Sequence, residues 1–205
     1  MDLHKLKRTA KPLEWADEDR ELALGILRTD PLFRRVEDSA VAGLLDCALS
    51  AGAECAEELI EEQDCADPLR LSRRMGIRVL FDISRSASAG SFNILSTYTH
   101  QPPTITVYEN RLRLCREKLM GRGKRNNVFL ANLTNICVAH EIYHHIERKS
   151  LKFINLQHRI TIADLRVVKI QKSLSMLSEV AANAFAMRLM ELPTLPSIIH
   201  EGFEV

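Results

Sequence analysis

The run Val138-Ala139-His140-Glu141-Ile142-Tyr143-His144-His145 decides how this chain is read. Two histidines four residues apart, with a glutamate directly after the first, form an H-E-x-x-H pattern. On a helix, residues four apart project from one face about 6 Å apart along the axis, so two imidazoles can grip one ion. Glu141 lies at the edge of that face, where it can reach a metal-bound water without being a ligand. A zinc ion held by three protein groups lowers the pKa of such a water to about 7. Glu141 would then act as general base while the metal polarises a carbonyl. Random placement of 7 His and 17 Glu in 205 residues gives about 0.02 such matches. From Val128 to Ile146, Glu141 is the only Lys, Arg, Asp or Glu. A helix so apolar is expected to be buried, where an unpartnered charge is costly. The competing reading has two core histidines and pairs Glu141 with a distant arginine.

Zinc chemistry needs a third ligand, and Ser178-Glu179-Val180-Ala181-Ala182-Asn183-Ala184-Phe185-Ala186 offers Glu179 on a separate helix. Asn183, four residues on, shares its face and could hold a ligand histidine from behind. Ala182 and Ala186 are small enough to let the two helices approach. The alternative is an alanine-rich core helix with Glu179 merely exposed. His145 should point away from the metal, about 100° around the helix from His144. Cys137 reads as a buried structural thiol. Tyr98, His100 and Tyr108 are placed on the sheet without an assigned role.

Working outward, helical spacing is expected from about Leu13 to Arg28, Ser39 to Glu62, and Pro68 to Met75, the last with Asp67 as N-cap and Gly76 as stop. Strand signals follow at 77–82, 91–100 and 104–109, the latter two as an antiparallel hairpin around Gln101-Pro102-Pro103. Further helices are expected over 111–120, 128–148 and 174–191, while residues 150–172 resist assignment. The expected class is α+β, mostly helical, with one small three-stranded, mainly antiparallel sheet. Residues 1–38 read as an N-terminal helical extension to a catalytic domain over 39–205. Every expected ligand lies after Gly121, so deleting 1–38 is expected to leave metal binding intact.

With 28 Lys+Arg against 27 Asp+Glu the net charge is +1, yet the distribution is lopsided. Residues 13–67 hold 16 acidic and 4 basic side chains; residues 68–172 hold 19 basic and 6 acidic. The acidic helices are therefore expected to dock on the basic stretch. An acidic N-terminal half argues against a DNA-reading module, so no direct nucleic-acid partner is expected. The basic run Arg122 to Arg125 reads as a solvated turn. Five cysteines without a C-x-x-C pair point to reduced thiols and a cytoplasmic setting. Neither a signal peptide nor an uninterrupted apolar run of membrane-spanning length is evident.

Taken together, Val138-Ala-His-Glu-Ile-Tyr-His-His145, Ser178-Glu-Val-Ala-Ala-Asn-Ala-Phe-Ala186 with Leu189-Met190, and Asp67-Pro68 to Val79 resemble the ImmA/IrrE family of zinc metallopeptidases. The resemblance spans roughly residues 40–195. It implies a gluzincin-like centre on zincin-type helices, with His140, His144 and Glu179 as zinc ligands and Glu141 as base. It also implies a protein substrate, such as a helix-turn-helix transcriptional repressor. Tyr143 departs from the family pattern, where glycine is common, and bears on pocket shape. Two other functions stay open: a non-proteolytic zinc-binding protein that senses or sequesters a partner, and a small-molecule metallohydrolase.

Overall fold

The computed structural model describes residues 15–83, 94–121, 127–150, 154, 159–164 and 169–196. Six helices are described: α1 (Asp17–Arg28), α2 (Asp38–Gln63), α3 (Pro68–Arg74), α4 (Glu109–Gly121), α5 (Asn127–Ser150) and α6 (Met176–Leu189). A sheet of β1 (Arg78–Asp82), β2 (Ser96–Thr99) and β3 (Thr104–Tyr108) lies among them, and a hairpin joins β4 (Arg159–Asp164) to β5 (Lys169–Ser173). The fold is α+β and mostly helical, as expected.

Local chemistry sets the element ends. Asp67 accepts the Arg70 N–H at 2.6 Å and Pro68 follows it, so α3 starts where the sequence places its cap. Gly76 closes that helix at φ 71°, a left-handed conformation favoured by glycine, and the chain turns directly into β1. At the start of α6, the buried Asp30 carboxylate accepts the Met176 N–H and the Ser175 hydroxyl, both at 3.1 Å. Residues that end α1 thereby cap the helix carrying Glu179. Asp30→Ala leaves these donors without their acceptor and should cost about 2 kcal/mol. An unchanged urea midpoint for this variant would refute the cap.

The sheet is mixed rather than mainly antiparallel. β2 and β3 form the expected antiparallel hairpin, but β1 runs parallel to β3, giving the order β1-β3-β2. β3 takes the centre because Ile105 and Val107 are its fully buried residues. In the sequence, β1 and β3 are separated by more than the dozen residues that a parallel pair requires between its strands. The unassigned stretch 150–172 contributes β4 and part of β5, paired antiparallel with an irregularity between Thr161 and Ala163. The basic run 122–125 and part of the 91–100 strand expectation lie outside the described residues.

Helix α6 is the axis of the core: ten of its 14 residues are buried, including Val180, Ala181, Ala182, Ala184, Phe185 and Ala186. Its most extensive contact is with α2, followed by α5. Among the described residues the acidic α2 therefore docks chiefly on α6 rather than on the basic stretch. Gly52 of α2 lies directly against Ala181 and Ala184 of α6, the other buried residues of α2 are all apolar, and one ion pair, Glu57–Arg188 at 2.7 Å, joins the two helices. By length and composition α2 alone among the described helices could cross a bilayer. Its buried face is the one turned to the core. Tyr143 is also buried, tilted against Phe185 with ring centroids 5.8 Å apart.

Candidate metal centre

Helix periodicity places His140 and His144 one turn apart on α5, and the packing of α6 brings Glu179 against both. His140 Nε2 lies 3.1 Å from His144 Nε2 and 3.1 Å from Glu179 Oε2, while His144 Nε2 is 3.5 Å from Glu179 Oε1. Tetrahedral bonds of about 2.0–2.1 Å would set three ligand atoms about 3.3–3.4 Å apart. The observed triangle matches that size. These three residues form a group that could hold a metal ion, the only such group among the described residues.

The polar groups behind the imidazoles explain why their Nε2 atoms converge. Asn183, fully buried, places its Oδ1 3.3 Å from His140 Nδ1, the role its spacing predicted. Glu147 stands behind the second histidine, with Oε2 3.7 Å from His144 Nδ1. With both Nδ1 atoms facing acceptors, each Nε2, once deprotonated, offers its lone pair toward the other and toward a carboxylate. Three such donors repel one another unless a cation or a proton lies between them.

Glu147 was not singled out in the sequence, although it follows His144 by three residues and shares its face. Its buried carboxylate accepts the Ser178 hydroxyl at 2.5 Å and the Ile154 N–H at 3.1 Å. It therefore ties α5, α6 and the chain after α5 into one frame around His144. Glu147→Gln should weaken metal binding by about 10- to 100-fold, measured by competition with a coloured chelator. Parent-like affinity would show that His144 needs no such support.

Burial by itself lowers the His144 pKa, but contact with Glu147 and the charges of Glu179 and Glu141 outweigh it and raise it from 6.5 to about 9. In the metal-free protein the protonated imidazole stabilises the fold fully below about 6.5, and that contribution is lost as pH rises through about 9. A metal ion must displace this proton. Its apparent affinity should strengthen by about tenfold per pH unit between those limits. A flat profile in chelator competition would refute the shift.

Glu141 is buried and sits beside the triangle without joining it. Ser96 on β2 donates its hydroxyl to Glu141 Oε1 at 2.7 Å. Nothing in the sequence flagged Ser96, which is 45 residues away. One turn on, the Tyr98 hydroxyl shares a 2.8 Å hydrogen bond with His145 Nδ1, and the two rings meet edge-on. His145 thus points away from the ligands, as expected, and Tyr98 is engaged with it. Burial, with help from Lys149 and His100, pushes the His145 pKa down. Strand β2 is fastened to α5 by both bonds.

Cys137 is fully buried, and burial pushes its thiol up to about 12 despite a hydrogen bond with Ser96. It is an inert packing group. All five cysteines are free thiols.

Comparison with known proteins returns no match: no family model, no curated protein and no solved structure is similar to the chain.

Proposed function

We propose that this chain is a zinc-dependent endopeptidase acting on a protein regulator, such as a helix-turn-helix repressor. The observation that carries the reading is the convergence of His140, His144 and Glu179 beside a buried, oriented Glu141. Two imidazoles and a carboxylate are a donor set of catalytic zinc sites, and three protein ligands leave a position open for chemistry. Zinc, when bound, supplies a Lewis acid that lowers the pKa of water to near 7 and polarises a carbonyl. The remaining work falls to the chain itself. Asn183 and Glu147 hold the ligand tautomers. Ser96 holds Glu141 in one rotamer, so that its other oxygen is left to take the proton of an attacking water and return it to the leaving amine.

Strand β2 favours a peptide over a small molecule. Among the described residues it pairs with β3 alone, which leaves its second edge without a strand partner there, and its side chains reach α5. An extended substrate can add to that edge by main-chain hydrogen bonds. His144 and Glu179 are partly exposed, which opens the centre to solvent on one side. The repressor class rests on the motif resemblance around residues 138–145 and 178–190.

Metal analysis combined with a cleavage assay tests the reading. Purified protein should hold about one equivalent of zinc and cleave a repressor encoded beside it, and a chelator should stop the cleavage. Absence of stoichiometric metal, or a partner recovered intact from the metal-loaded protein, would overturn it.

A further inference from the structure

The edge of the sheet remote from the metal centre carries a second surface. β1, Arg78-Val79-Leu80-Phe81-Asp82, pairs with β3 on one side only among the described residues. Leu80 is 43% and Phe81 48% exposed, and the adjoining Ile83 is 72% exposed. A groove of about 570 Å³ runs along the strand, bounded by Leu69 and Arg73 of α3. An exposed apolar edge strand is a template for another strand.

Backbone direction determines which groups are offered. Arg78 N–H donates to Pro103 O at 3.0 Å, so by strand alternation Arg78, Leu80 and Asp82 turn their peptide groups toward β3. Those of Val79 and Phe81 point outward. The strand is also its own complement: running backward it places an acidic residue where the forward copy has a basic one, with Leu80 at the centre.

We propose that this edge pairs with the same edge of a second copy of the chain, antiparallel and centred on Leu80. Val79 then exchanges both main-chain hydrogen bonds with Phe81 of the second copy, and Phe81 with its Val79, which satisfies every outward peptide group of the two residues. Arg78 faces Asp82 of the second copy twice over, in the closer, non-hydrogen-bonded pairs, and Leu80 meets Leu80. The symmetry is two-fold and closed, so pairing stops at a dimer. The result is one six-stranded sheet, β2-β3-β1-β1-β3-β2, with the free β2 edges and both metal centres at its outer ends. Charge complementarity selects a second copy over an acidic peptide, because both signs are needed at fixed positions.

Sedimentation equilibrium of the full chain over a concentration series tests this. The parent should show a monomer–dimer equilibrium. Arg78→Asp and Asp82→Arg should each weaken it by about tenfold or more, since each turns two attractive pairs into repulsive ones. The double variant R78D/D82R should restore it while the far-UV circular dichroism of all three matches the parent. A monomeric parent, or a double variant no better than the singles, overturns the proposal. Register is read separately by mild oxidation. Leu80→Cys should give a disulfide-linked dimer and Val79→Cys should not, because residue 80 alone faces itself. Equal crosslinking of both, or of neither, overturns the pairing.

Discussion

Glu141→Gln is expected to keep the metal with parent affinity and to lose cleavage by a factor of about 10²–10⁴. Glu141 lies outside the three-donor group, so its replacement leaves His140, His144 and Glu179 in place. The amide is nearly isosteric, and its oxygen can still accept the Ser96 hydroxyl that now reaches Oε1 at 2.7 Å. What the amide cannot do is take a proton. The variant therefore separates proton transfer from metal binding and from folding. Cleavage that persists with the amide would refute Glu141 as the base while leaving the zinc reading standing. Loss of metal in the same variant would mean that Glu141 belongs to the ligand set.

Gly52→Ala should destabilise the fold by about 3 kcal/mol and weaken metal binding as well. A β-carbon at position 52 would lie 2.0 Å from the Ala181 carbonyl oxygen and 3.0 Å from the Ala184 side chain. The nearest obstacle is backbone, which no rotamer change can clear, so α2 and α6 must move apart. Helix α6 carries Glu179 and Asn183, and both hold their positions relative to α5 through that packing. Gly43 on the same helix is the internal control. It is exposed with nothing within 4 Å of an added β-carbon, so Gly43→Ala should stabilise by about 0.5–1 kcal/mol. Urea unfolding reads the first effect and chelator competition the second. Two glycine variants that behave alike would show that the close approach of α2 and α6 is dispensable.

The two glycines also show where sequence reading stops. Both sit in a long helical pattern with the same local preferences, and no feature of α2 alone marks Gly52 as the contact point. The same holds for the sheet: strand periodicity located all three strands, but the periodicity of neither strand says that β1 runs parallel beside β3. Charge arithmetic pointed the acidic helices at the basic stretch, whereas α2 settled on α6, because burying small apolar groups is favourable over a whole face and exposed charge pairs contribute little.

Within the metal centre the division is equally physical. The spacing of His140, Glu141 and His144 was legible because a helix of 3.6 residues per turn fixes side-chain directions from sequence separation alone. Asn183 followed from Glu179 by the same rule, once Glu179 was taken as a ligand. Glu147 obeyed it too and could have been found by extending the His144 face one more turn. Ser96 could not, since no local rule relates a residue on a strand to one on a helix 45 positions later. The sequence by itself determined the two helices and which of their faces carry donors. Only the tertiary structure decided that these faces meet within hydrogen-bond distance, that β2 holds Glu141, and that β1, among the described residues, lies at an edge of the sheet with Leu80 and Phe81 exposed. Helical geometry is a property of neighbouring residues, while the approach of one helix to another is set by the packing of the whole core.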